Sequence, residues 1–235
     1  MSNKSRKVFL SFLGTGNYKE CKYVSKKKGE SRVVEYVQEA ILDLYATDFS
    51  KDDIAYFFLT EEAETKHWNK LEQRVNSKSY QIKSIKDIPE GYSEEDIWNI
   101  FETVFSVLQN EDQVILDVTH GFRSLPMLGI VLLNYAKSLK KIKVQHILYG
   151  AFESLGAAYN IEDRIPNPED RKASLLDLSA FSAIQTWTFG AESFIETGNA
   201  KTITDLSLEN IRPILIESKG SDNTASNIRN LMKAL

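Results

Sequence analysis

The sequence predicts an α/β protein built on a doubly wound, mostly parallel sheet, followed by a short helical region. Three observations carry that prediction. Short, largely apolar runs recur at Val8 to Leu13, Ile54 to Leu59, Gln113 to Val118 and Val144 to Tyr149; strands buried on both faces need such runs. Between them lie stretches whose apolar residues fall three and four apart, the spacing of an amphipathic helix. Strand and helix patterns alternate at the spacing of βαβ units.

Taken in order, Val8 to Leu13 is a buried strand stopped at Gly14. Tyr18 to Val24 is mixed and extended, leading into a basic turn at Lys26–Gly29. From Val33 a helix places Val37, Ala40, Ile41 and Leu44 on one face. Ile54 to Leu59 is the second buried strand, Glu61 to Val75 a polar helix, and Tyr80 to Ile88 a weaker third strand closed by Pro89. Ser93 with Asp96 forms a helix-start pattern, and Ile97, Ile100, Phe101, Val104, Phe105 and Leu108 give that helix its apolar face. A strand over Gln113 to Val118, a helix over Leu125 to Leu139 with Pro126 in its first turn, and a strand over Val144 to Tyr149 complete a domain of residues 1–160.

Composition then changes. Glu162–Lys172 holds Pro166, Pro168 and seven charged residues and reads as a linker. Residues 161–235 are otherwise helical in pattern, with one helix through Phe181, Ile184, Trp187, Phe189 and Phe194 ended by Gly198, and a second over Leu208 to Ile216.

The bulk properties exclude several classes. A net charge of −4 carries no global nucleic-acid signature, and no DNA duplex is expected as partner. Residues 1–32 nevertheless hold nine Lys/Arg against two Asp/Glu, a local +7 that leaves −11 for the remainder. A basic edge on an acidic body suits a small anionic ligand. Cys21 is the single cysteine, so no intramolecular disulfide or thiolate metal cage can form. His67, His120 and His146 share no metal-ligand spacing; neither a metal nor a cofactor is expected. No run reaches the roughly 20 apolar residues of a membrane span, and Val8 to Leu13 is too short for a signal-peptide core. A cytoplasmic protein is expected.

The candidate site lies at the strand ends, where open α/β sheets bind ligands. After the first strand comes Leu13 to Tyr18, "LGTGNY": Gly14 and Gly16 allow backbone N–H groups to approach an anion, while Thr15, Asn17 and Tyr18 bring side-chain donors. It is not a dinucleotide fingerprint, since position 19 is Lys19, and no GK[ST] makes it a Walker loop. After the later strand comes "DVTHGFRSLP". Asp117 ends the strand, Thr119, His120 and Gly121 make the turn, Phe122 and Arg123 follow, and Ser124 can cap the next helix, whose amides favour phosphate. His120 and Arg123 add charge-assisted donors. Tyr149 and Gly150, after the last strand, could stack a base. Each cluster also has a plain structural reading, a tight turn or a pinned corner. Two such clusters at neighbouring strand ends favour a ligand site.

The combination of "FLGTGNY", "LTEEA" (Leu59 to Ala63), "DVTHGFRSLP" and "LYGAFE" resembles the CRISPR-associated DxTHG family, whose members carry a CARF domain, a CRISPR-associated Rossmann fold. The resemblance covers residues 7 to about 155, and Asp117-x-Thr119-His120-Gly121 is its most specific part. "DLSAFSAIQTWTFGAESFIETGNA" is similar to the start of the helical HEPN half of many members.

The resemblance implies a Rossmann-like sheet and a homodimer that binds cyclic oligoadenylate, with tetra-adenylate favoured, as a sensor in type III CRISPR signalling. Gly14–Asn17 and Thr119–Arg123 would hold phosphates and ribose hydroxyls, and Trp187, Phe189 and Phe194 would add dimer surface. It also implies two alternatives. One is a ring nuclease cutting the bound messenger by metal-independent attack of a ribose 2′-OH, with Thr15, His120 or Arg123 stabilising the developing charge. The other is the sensor half of a HEPN ribonuclease whose catalytic part is absent here. HEPN catalysis uses Arg followed four to six residues later by His, and no histidine follows His146. A nicotinamide oxidoreductase is disfavoured by the failed glycine fingerprint, and a DNA-binding regulator by a tail that is not basic enough.

Overall fold

The computed structural model describes residues 5–76, 79–120, 125–219 and 221–234. They divide into two compact units, Met1–Ser179 and Ala180–Leu235.

The first unit is a sheet of eight strands with helices on both faces. In chain order it contains β1 (Lys7–Phe12), β2 (Lys22–Ser25), β3 (Gly29–Glu30), α1 (Val37–Tyr45), β4 (Ile54–Phe58), α2 (Glu61–Ala63), α3 (Asn69–Val75), β5 (Gln81–Ile85), α4 (Glu94–Val107), β6 (Gln113–Asp117), α5 (Leu125–Lys140), β7 (Lys143–Ala151), α6 (Ile161–Arg164) and β8 (Lys172–Asp177). A π-helical turn, Glu64–Trp68, joins α2 to α3, so the polar helix expected over Glu61 to Val75 is one composite rod.

The strand order is β3-β2-β8-β7-β6-β1-β4-β5. Its central strands β7, β6, β1, β4 and β5 pair in parallel, in the registers Phe9↔Ile115 and Phe9↔Ala55 around β1. Burial explains their composition: Val8, Leu10, Phe58 and Val114 pack under α4 and α5, while Phe9, Phe57 and Ile115 pack against α1 and α3. With both faces covered, the middles of β1, β4 and β6 are apolar at consecutive positions, and polar residues gather at strand ends and in the outer strands. Helix α4 starts as its sequence indicates, with Ser93 Oγ accepting the Asp96 N–H at 3.0 Å and Asp96 accepting the Tyr92 N–H at 2.9 Å.

The structure extends the sheet beyond the end expected near residue 160. β8 pairs antiparallel with β7 and parallel with β2, so the Pro-rich stretch before it leads back into the sheet. Arg171, 3% exposed, fixes that return by donating to the carbonyls of Glu20, Ile165 and Pro166.

The second unit holds most of α7 (Ser179–Thr197), together with α8 (Lys201–Glu217) and α9 (Asn223–Ala234). Gly198, at φ +71°, terminates α7 as expected and donates to Phe194 O at 2.9 Å. Helix α8 is longer than the expected Leu208 to Ile216, and α9 has no counterpart in the sequence reading.

Candidate functional site

Strand β1 sits where the parallel core changes direction: after β2 and β3 at the far edge, the chain adds β4 and β5 on one side of β1, then returns to β6 and β7 on the other. The crevice beyond β1 and β6 is therefore the topological switch point, the place where a doubly wound sheet leaves room for a ligand. A cavity of about 310 Å³ opens there. Its walls include Thr15, Gly16, Thr60, Thr119 and His120 on the polar side, and Phe12, Phe58, Ile88 and Pro89 on the apolar side.

The two expected clusters meet at this point. A Cβ added to Gly14 would stand 3.1 Å from His120 Cβ and 3.1 Å from the Tyr18 hydroxyl, so a side chain there would push the loop or the β6 turn aside by a few tenths of an ångström. Gly16 and Asn17 are exposed, and Thr15 is partly so.

Other expected residues lie beneath the lip. Asp117 is 1% exposed; Oδ2 accepts from the Ser11 hydroxyl at 2.7 Å and Oδ1 from the Thr119 N–H at 2.9 Å. The Gln38 amide donates in turn to Ser11 Oγ at 3.1 Å. Burial pushes the Asp117 carboxyl above its ordinary range, against the pull of Thr119 and Ser11. Asp117 thus pins the turn from inside. The Thr119 hydroxyl accepts the Gly150 N–H at 2.8 Å and ties β6 to β7.

Gly150 is a packing position. A Cβ there would fall 2.4 Å from Val37 Cγ2 and 2.8 Å from Tyr23 Cε1. Tyr149 donates to Glu153 at 2.5 Å and is partly buried, which ties it locally. Gly121, Phe122 and Arg123, with the capping residue Ser124, lie outside the described residues.

Tyr18 stands inside the loop as a post. Its hydroxyl donates to Gly14 O at 3.0 Å, and its ring packs edge-on against His120 at 4.8 Å and His67 at 4.7 Å. Tyr36 closes the group, 4.7 Å from Tyr18, with its hydroxyl 3.3 Å from His67 Nδ1. The Nε2 atoms of His67 and His120 are both buried and complete no hydrogen bond among the described residues. Burial, and then repulsion from His67, push His120 down to about 4. His67 is also lowered by burial, countered in part by the backbone of Gly16 and Thr15.

His67 is the residue that sequence reasoning missed. Its one signal was its place in the polar helix following a strand end.

The basic N-terminal residues are not part of this site. Lys7 and Lys28 line a separate cavity of about 330 Å³ with Gln113 and Gln145, at the strand starts. Lys27 faces Asp177 at 3.5 Å. Because β2 runs against the central strands, its following turn carries Lys26–Lys28 to the edge opposite the cavity; the expected basic edge does not frame the candidate site.

No group of three or more His, Cys, Asp or Glu that could hold a metal ion occurs among the described residues, and none of their helices is long and apolar enough to cross a membrane.

Comparison with known proteins gives two findings. The family model described as "CRISPR system endoribonuclease Csx1, CARF domain" matches residues 8–153. A curated relative, "CRISPR-associated protein MJ1674" of Methanocaldococcus jannaschii, is 28% identical over 145 residues, covering 60% of this chain and 21% of that protein. The aligned part of the chain thus spans about a fifth of that relative's length.

Proposed function

Because the chain belongs to the Csx1 family of CARF-domain CRISPR proteins, we propose that its strand-end cavity binds a cyclic oligoadenylate, with tetra-adenylate favoured, between the two subunits of a homodimer. It would serve as an accessory sensor in type III CRISPR defence. The observation that carries this reading is the meeting of Gly14–Gly16 with Thr119–His120 around one cavity at the switch point. About 310 Å³ is nucleoside-sized space. Its polar side suits ribose and phosphate, and its apolar side, from Phe12, Phe58, Ile88 and Pro89, suits a base.

The exposed face of α5, the helix that follows the β6 turn in sequence, supports the dimer. Met127, Val131, Tyr135 and Leu139 recur every four residues along α5 and are 69%, 57%, 48% and 58% exposed. Trp98 of α4, 57% exposed, packs edge-on against Phe101, which in turn touches Tyr135. An apolar stripe of this kind calls for a cover. A second copy fits best, because the stripe begins just after the strand-end turn and a ring of four identical nucleotides has two-fold symmetry. In the helical unit, Phe189 and Phe194 are 60% and 44% exposed, while Trp187 is partly buried. We read residues 180–235 as a HEPN-like start, to which we assign no RNA cleavage because it contains no histidine.

The neutral His120 ring in the cavity wall favours a second reading, a ring nuclease. A neutral imidazole at the cavity can take the proton of a ribose 2′-OH as that oxygen attacks the adjacent phosphorus. The P–O5′ bond then breaks as the imidazolium returns its proton to the leaving O5′, giving a 2′,3′-cyclic phosphate and a free 5′-OH. Incubation with cyclic tri-, tetra- and hexa-adenylate tests both readings. Calorimetry reads binding, and chromatography after hours, with and without EDTA, reads cleavage. Intact, bound ring supports a sensor; linear di-adenylates insensitive to EDTA support a nuclease; no binding of any ring refutes both.

A further inference from the structure

The histidine pair behind the lip has a consequence beyond ligand contact. Tyr18 is flanked edge-on by His67 and His120, whose Nε2 atoms are buried and unpartnered. His120 lines the cavity, while His67 stands behind the loop, delivered by the π-helical turn Glu64–Trp68. Such turns cost regular hydrogen bonding and are frequent at functional sites. His120 Nε2 has lost its water without gaining a partner, whereas the His67 ring is still favoured in its charged form by the backbone of Gly16 and Thr15. An anion in the cavity that His120 lines would favour the charged form of this ring through space.

We propose that His67 and His120 act as one proton-accepting pair behind the anion lip, so that binding of a phosphodiester ligand takes up a proton and strengthens as pH falls. The proposal rests on the oligoadenylate reading and adds its regulation.

The groups facing the pair leave few rivals. His120 meets Tyr18 and His67 and feels Glu153; His67 meets Tyr18 and Tyr36 and feels Lys66 and Glu35. Asp117, below, acts on Tyr18 but is bonded to Ser11 and Thr119. Tyr18 is held well above the ordinary phenol range, so it stays neutral. In the free protein His120, pushed down to about 4, is neutral at physiological pH. A phosphate anion stabilises the charged form and raises that value. The direction is therefore fixed: the complex binds more protons than the free protein, so affinity rises on acidification between the bound and free values. Protonation also removes the base that ring cleavage would need, so acid favours holding the ring over cutting it.

The test is calorimetry of the full chain with cyclic tetra-adenylate at about pH 5, 6 and 7.5, in two buffers of different ionisation enthalpy. The diester phosphates do not titrate in this range. If the bound histidine returns to its ordinary value of about 6.5, binding at about pH 5 is roughly 30-fold tighter than at about pH 7.5, with about three-quarters of a proton taken up near pH 6. His120→Gln abolishes the proton uptake, and His67→Gln, which removes the repulsion, reduces it. With only three histidines in the chain, an NMR titration of the wild-type imidazoles provides a readout independent of any variant's folding. The His120 signal should remain that of a neutral ring down to about pH 4 in the free protein and shift upward with ring bound. Binding without pH dependence or proton uptake overturns the inference and leaves the ligand reading standing. Proton uptake unchanged in both variants also overturns it. Absence of binding at every pH removes both.

Discussion

Asp117 and His120 come from adjacent strand-end positions and do opposite work. Asp117 is the internal acceptor that holds the turn, and replacing it with alanine strands the Ser11 hydroxyl and the Thr119 N–H in the interior. Leaving such a donor unpaired costs about 1–3 kcal/mol, so urea titration at neutral pH should show Asp117→Ala destabilised by at least that much. Asp117→Asn, which keeps a carbonyl acceptor, should lose less. His120 makes stability depend on pH. Its folded value, about 4, lies below the unfolded value of about 6.5, so its neutral-state stability is present above about 6.5 and is lost as pH falls toward 4. That loss amounts to about 3 kcal/mol. Asp117, raised in the fold, works with the opposite sign. The comparison that isolates His120 is the slope of the urea midpoint against pH in wild type and His120→Gln; the variant should be flatter, and an unchanged slope would remove His120 as its source. Both residues stood out in the sequence as hydrogen-bonding groups at a strand end. Their burial did not, because Ser11, Gln38, Tyr18 and His67 reach them from remote segments.

At the scale of elements, the central strands were legible because burial on both faces writes itself as a continuous apolar run, as in "VFLSF" and "IAYFF". Strand β8 was not. Only Ala173 and Leu175 face the interior, and the charged, proline-bearing segment before it looks like a linker. The π-helical turn leaves no periodic mark, which is why His67 passed unnoticed. Gly150 illustrates the same limit: its sequence context suggested ligand contact, whereas contact with Val37 and Tyr23 explains it. Gly150→Ala should therefore cost about 1–3 kcal/mol through overpacking, read by thermal or urea unfolding. Helix α5 was predicted with nearly its observed ends, yet periodicity alone could not show that a second apolar face remains uncovered. Val131→Glu with Tyr135→Glu should leave the circular dichroism spectrum intact and convert a dimer to a monomer by light scattering. A dimer that survives both changes must use another surface.

For the whole molecule, charge proved to be a matter of place. The basic turn at Lys26–Lys28 projects at the end opposite the cavity, so the proposed anion site would rely on backbone, hydroxyl and imidazole groups, with Arg123 following them in the sequence. The central claim is that the strand-end cavity takes an adenylate ring. The most direct measurement is calorimetric titration of cyclic tetra-adenylate into wild type, Arg123→Ala and Lys27→Ala at one salt concentration, with linear tetra-adenylate as control. A charge-assisted bond at the lip is worth about 1.5–3 kcal/mol, and an exposed pair such as Lys27 with Asp177 about 0–1 kcal/mol. The account predicts one ring per two chains, weaker binding of the linear form, at least about tenfold loss in Arg123→Ala and little change in Lys27→Ala. No heat with the ring, or equal losses in the two variants, would contradict it.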